Sequence, residues 1–139
     1  MIDLAKLADE LKEDEGLRLK PYRCPAGRLS IGYGRNLEDV GITLDEARVL
    51  LRNDITRVLV ECRAQDWWEQ LEREPVRARV ILNMAFNLGL PRLLGFRRMI
   101  AAIRRQDWDA AADEMLDSKW AREDVPKRAE KLAQMMREG

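Results

Sequence analysis

Glu15, Cys24 and Ser30 are the side chains of this chain whose types and spacing could support chemistry. A carboxyl group at position 15, where a helix gives way to a glycine-rich segment, could protonate a leaving group as a general acid. The bland alternative is a surface glutamate at an acidic helix end. Cys24 has two readings as well. It is a small apolar residue in a turn, or a thiolate acting as base or nucleophile, with Lys20 and Arg23 close enough in sequence to favour the anion. Ser30 is either the polar face of a half-exposed strand or the group that holds a water. There is no histidine, which removes the commonest general base and the commonest metal ligand. The two cysteines, Cys24 and Cys62, have neither metal-site spacing nor a disulfide framework. We therefore expect free thiols in a reducing compartment and no cofactor.

These three residues need elements to hold them. Leu4, Leu7, Ala8 and Leu11 share one face of a helix over residues 2–14, which Gly16 ends. Residues 17–36 change character. Pro21, Pro25, Gly27, Gly32 and Gly34 break helical continuity, and Leu29, Ile31 and Tyr33 alternate. This predicts an antiparallel hairpin turning near Pro25, Ala26 and Gly27. Glycines at 32 and 34 suit a strand that another group approaches closely. Thr43 and Glu46 form a capping box that opens a helix over 44–63, about 30 Å long.

The remainder reads as helical. DWWEQLE is a short helix, and Pro75 sits where a helix starts. The segment 80–89, VILNMAFNLG, is apolar nearly all round, as a core helix would be, with Gly89 and Pro91 stopping it. FRRMIAAIRR follows Gly95, Asp107 caps WDAAADEML, and Pro126 begins a last helix.

At 139 residues with 46% hydrophobic content, the chain can bury a core and is not disordered. Net charge is zero but uneven: from Pro75 to Gln106 there are seven arginines and no acid. An Arg-rich surface of this kind is either simply solvated or matched to an anionic partner. With zero net charge and no recognisable nucleic-acid module, nucleic acid is excluded as that partner. No apolar run reaches the roughly 18–20 residues of a membrane span, so stable membrane insertion is not expected. No signal peptide is visible either.

Taken in order, the motifs resemble a known family. A glutamate, eight residues, Asp or Cys, five residues, Thr, then an Ile-Gly-x-Gly strand is the signature of the phage-type (T-even phage) lysozymes. Here the same pattern runs Glu15, Cys24, Ser30 and IGYG at 31–34. Thr43 with Asp45 and Glu46, NMAFNLG at 83–89, Gly95-Phe96, WDAAA at 108–112, SKW at 118–120 and PKRA at 126–129 follow in the family's order. Three departures stand out: Cys24 where the best-known members have Asp, Ser30 for Thr, and Arg35 for the His after Gly-x-Gly. Residues 35–42 also make a short lobe, which would leave a cleft more open.

The resemblance implies an α+β, mostly α, lysozyme-like fold: a small N-terminal β-hairpin lobe and a larger helical lobe joined by a long helix. Its parts would be 1–14, a helix packing on the helical lobe; 15–43, the β lobe; 44–63, the inter-lobe helix; and 64–139, the helical lobe. The activity implied is cleavage of the β-1,4 bond between N-acetylmuramic acid and N-acetylglucosamine in bacterial peptidoglycan. Glu15 would be the general acid, and Cys24 and Ser30 would stand in the positions of the water-activating or nucleophilic residues. Arg128 would support the glutamate, and Asn36, Phe86, Met99 and Glu114 would contact saccharide. Family members of this kind are monomers, lack a cofactor, and wait in the host cytoplasm until a holin pore releases them to the wall. Two other readings remain: a lytic transglycosylase using Glu15 alone, and a non-catalytic cell-wall-binding module.

Overall fold

An aspartate sets the first element. Asp3 accepts a hydrogen bond from the Lys6 amide at 3.0 Å and caps α1, Leu4–Glu15. Gly16, with φ of 71°, closes it by returning its N–H to the Lys12 carbonyl. The structure, a computed structural model, describes residues 1–139 and divides into two units, Met1–Val49 and Leu50–Gly139.

In the N-terminal unit, α1 is followed by a three-stranded antiparallel sheet of β1 (Arg18–Arg23), β2 (Leu29–Gly32) and β3 (Arg35–Asn36), in that order. The hairpin and its turn at residues 24–28 lie where alternation and the Pro/Gly cluster put them. The third strand was not foreseen, because two residues cannot show a period of two. Tyr22 and Asn36 flank Ser30 across the ladders, and Ile31 pairs with Arg35. Ser30 is the one buried residue of this unit; none of its apolar side chains reaches full burial. Backbone ladders hold it instead, and exposed ion pairs link its strands and loops: Arg23 to Glu38 at 2.7 Å, Arg28 to Asp39 at 3.5 Å, and Arg35 to Glu46 at 2.8 Å.

The capping box forms as expected. The Glu46 amide donates to Thr43 Oγ1 at 3.1 Å, and the Thr43 amide donates to Glu46 Oε1 at 2.9 Å. It opens α2, Leu44–Arg63, the predicted long helix. The boundary between the units falls inside this helix, and its burial is confined to Val58 and Cys62.

The C-terminal unit carries the apolar core. A 3-10 turn at Trp68–Leu71, rather than the longer helix expected over DWWEQLE, precedes α3, Pro75–Leu88. Val80, Ile81, Met84, Ala85 and Leu88 of α3 are buried among Met99 and Ile103 of α5 (Arg97–Arg104), Met115 of α6 (Trp108–Leu116), and Leu132 and Met136 of α7 (Pro126–Glu138). Each such side chain contributes about 1.5–3 kcal/mol, so this unit holds most of the stability. Gly89 ends α3 as expected, but Pro91 does not act as a stop. It sits in the first turn of α4, Leu90–Leu94, where a missing N–H costs nothing.

Side-chain amides tie the helices together. Asn87 Oδ1 accepts from the buried Trp120 Nε1 at 2.8 Å, and Asn83 Oδ1 accepts from Arg128 Nε at 2.8 Å. Trp120 opens a short π-helical turn, Trp120–Asp124, that leads into α7. The motifs NMAFNLG, SKW and PKRA are therefore one hydrogen-bonded assembly.

Candidate active site

Glu15 is the last residue of α1, and its side chain is exposed. Its carboxyl lies against the turn joining β2 to β3. A β-carbon built on Gly34 would stand 2.7 Å from Glu15 Oε2 and 2.9 Å from Cδ. Gly34 also has φ of +75°, in the left-handed region. One turn earlier on α1, Lys12 Nζ sits 5.8 Å from the Tyr33 ring centroid, a cation–π contact with the same turn. The close approach that the glycine spacing suggested is thus made by Glu15 itself.

Cys24 begins the turn between β1 and β2. Its amide donates to the Arg28 carbonyl at 2.9 Å, and its carbonyl accepts from the Gly27 amide at 2.8 Å. The thiol is held below its ordinary value of 9.0, foremost by the Arg28 backbone amide; partial burial opposes this, and the Ala26 amide and Ser30 hydroxyl add to it. The cations expected to favour the anion, Lys20 and Arg23, are not the cause. Arg23 is engaged with Glu38 and the Gly27 carbonyl. Ser30 Oγ donates to the Arg28 carbonyl at 3.2 Å, and its hydroxyl is among the groups that lower the thiol.

Arg35, the residue after Gly34, is fixed at its far end. Nη1 donates to Glu46 Oε1 at 2.8 Å and to the Gly41 carbonyl at 3.1 Å. Glu46 is held well below the usual carboxylate range, down to about 2, by the Arg35 hydrogen bond first and the Thr43 amide second. Nothing in the local sequence around Arg35 announced this partner; the capping-box position of Glu46 was the one available signal.

The chain's residues 12–137 match the phage lysozyme family. This chain belongs to that family. Its relatives include an endolysin of Acyrthosiphon pisum secondary endosymbiont phage 1, 31% identical over 83% of this chain and 77% of the relative. A probable T4-type lysozyme of Dictyostelium discoideum is 24% identical over 98% of this chain and 96% of the relative. The pre-baseplate central spike protein of Enterobacteria phage T4 is 27% identical over 82% of this chain but only 24% of the relative. As a phage lysozyme-family member, the chain is a glycosidase of lysozyme type.

The remaining candidate residues of this phage lysozyme-family chain are spread over distinct places. Asn36 lies on β3 and bonds through its amide to Asp39 Oδ2 at 2.9 Å. In the C-terminal unit, Phe86 is exposed on α3 and lines an apolar groove of about 470 Å³, which it shares with Arg128, Leu82 and Met135. Met99 and Glu114 come together elsewhere, in a hollow of about 550 Å³ with Arg97, Arg98 and Ser118. Met99 is fully buried there, while Glu114 is partly exposed. Asn83, which holds Arg128, was not singled out from sequence; its place in an otherwise apolar helix was the signal. No helix is long and apolar enough to cross a membrane.

Proposed function

We propose that this protein is a peptidoglycan-degrading endolysin that hydrolyses the β-1,4 bond between N-acetylmuramic acid and N-acetylglucosamine. Glu15 is the general acid that protonates the bridging oxygen. Cys24, as a thiolate, activates the attacking water, and the Ser30 hydroxyl is among the groups that favour that thiolate. The observation that carries this reading is the turn around Cys24, whose amides and hydroxyl favour a thiolate where the resemblance puts a catalytic carboxylate. A lone glutamate would have no use for such a turn, which favours hydrolysis over the transglycosylase route. By the resemblance, Arg128 is the arginine assigned to the glutamate, and Asn36, Phe86 and Glu114 are saccharide contacts; the fully buried Met99 backs that surface rather than touching sugar. The protein acts as a monomer, stays in the host cytoplasm and reaches the wall through a holin pore.

Mass spectrometry of digested muropeptides tests the reaction. Hydrolysis yields a reducing muramic end; a product lighter by one water identifies a 1,6-anhydro end and refutes the water-using mechanism. Glu15→Gln should abolish clearing of a peptidoglycan suspension while the fold is kept. Clearing by that variant at the normal rate would remove Glu15 from the mechanism. A wild-type chain that binds the wall but never clears it would be a binding module.

A further inference from the structure

Arg35 stands directly after Gly34, the residue on which the Glu15 carboxyl rests. On its backbone side it is anchored by β3, a strand of two residues paired through Ser30–Asn36 and Ile31–Arg35, with one further bond from the Leu37 amide to the Leu29 carbonyl at 2.8 Å. So short a ladder is a weak restraint. On its side-chain side the anchor is strong in geometry. The guanidinium bridges Glu46 Oε1 and the Gly41 carbonyl, and that same Glu46 oxygen receives the Thr43 amide at 2.9 Å. The far end of Arg35 is thereby tied to the first turn of α2, a helix of 20 residues.

We propose that Arg35 is a positioning residue for Glu15: clamped to Glu46 and Gly41, it holds the turn at residues 32–34 where the Glu15 carboxyl packs on Gly34. The inference rests on the assignment of Glu15 as the general acid. Two physical points support it. The Arg35–Glu46 pair is more than a third exposed on both side chains, so as an ion pair it adds little stability. Catalysis, by contrast, is steeply sensitive to placement: a shift of about 1 Å can cost about a hundredfold in rate. Geometry, not stability, is what this clamp supplies. Both bonds leave the same nitrogen, Nη1, at the end of a side chain long enough to reach from β3 to the first turn of α2. Glu46 remains ionised well below neutral pH, so the clamp stays closed across the working range.

The test is steady-state kinetics on soluble glycan fragments of peptidoglycan with Arg35→Met, Gly34→Ala and the double variant, each checked by circular dichroism and by the amide NMR signals of the sheet. Arg35→Met should lower kcat about tenfold to a hundredfold with KM within about twofold. Because both single variants disturb one placement, the double variant should lose less than the product of the two losses. Wild-type kcat in Arg35→Met, a rise in KM alone, or losses that simply multiply would each overturn the inference. If Arg35→Met loses the sheet signals, Arg35→Gln and Glu46→Ala, which shorten the donor arm and remove the acceptor, take its place, with the same expected fall in kcat; normal kcat in both is the overturning result. Glu15→Gln separates the two ideas. An active Glu15→Gln removes the general-acid assignment, whereas an inactive Glu15→Gln beside a fully active Arg35→Met removes only the positioning role.

Discussion

The Glu15 carboxyl lies on the α-carbon face of Gly34, so close that any side chain there would collide with it at 2.7 Å. The helix end and the strand turn, contributed by residues 19 positions apart, meet at this point. Gly34→Ala should therefore do double damage. The left-handed backbone costs about 1–2 kcal/mol in an L residue, and the methyl group displaces the carboxyl. We expect kcat to fall about a hundredfold with the helical circular dichroism unchanged. Undiminished turnover in this variant would mean that the contact is incidental to the chemistry.

The two thiols should react in a fixed order. Cys24 is half-buried and lowered by amide donation, whereas burial pushes the Cys62 thiol up to about 11. Iodoacetamide on the folded chain should label Cys24 with a half-maximal pH below 9.0 and leave Cys62 untouched until denaturant is added. Peptide mapping reads the result, and early labelling of Cys62 would contradict it.

Substitution at Cys24 separates a working thiol from a bystander. Cys24→Ala should lose about 10²–10⁴ in rate, the usual worth of a general base. Cys24→Asp restores a carboxylate acceptor and should retain most activity. The wild-type rate should fall as pH drops through the thiol's lowered value, and that limb should move to lower pH in Cys24→Asp. An Ala variant as fast as wild type would leave the thiolate without a role.

Acid should release the Arg35–Glu46 and Arg23–Glu38 contacts, with a small local loss of stability around the sheet. Glu46 is lowered from an ordinary 4.5 to about 2, and Glu38 is lowered too, by the Leu29 amide first and Arg23 next. A carboxylate lowered on folding stabilises the fold above its unfolded value. That contribution drains away as pH falls from about 4.5 through about 2. Hydrogen exchange at the sheet amides should accelerate across this window, and Arg35→Met should flatten the dependence. Exchange rates that are indifferent to that substitution would exclude the Arg35 pairing as the source.

The helical unit has its own weak point at Asn87. Asn87→Ala leaves the indole N–H of the buried Trp120 without its acceptor at a part-buried site, Asn87 itself being exposed. The expected loss is about 0.5–1.5 kcal/mol, seen as a lower denaturant midpoint. A midpoint equal to wild type would show that water replaces the amide.

Much of this is legible in the sequence. Glycine, proline and capping signals located α1, the hairpin, the capping box and α2 because those rules are local. Their failures are also physical. β3 is shorter than the period that would reveal it, and Pro91 can start a helix as readily as end one. The role of Gly34 was half visible: glycine spacing promised a close approach, but only folding names Glu15 as the neighbour. The amide donors at Cys24 were hidden for a different reason, since backbone groups leave no trace in residue types. The cations visible in the sequence, Lys20 and Arg23, are not what lowers the thiol.

All four tryptophans, Trp67, Trp68, Trp108 and Trp120, belong to the unit that begins at Leu50. The stretch bearing Glu15, Cys24 and Ser30 has only Tyr22 and Tyr33 as chromophores. Intrinsic emission excited at the indole band therefore reports one half of the molecule. A preparation whose fluorescence looks wholly native could already have its acid, thiol and hydroxyl scattered, and assays of shelf life based on that glow would overstate how much working enzyme is present.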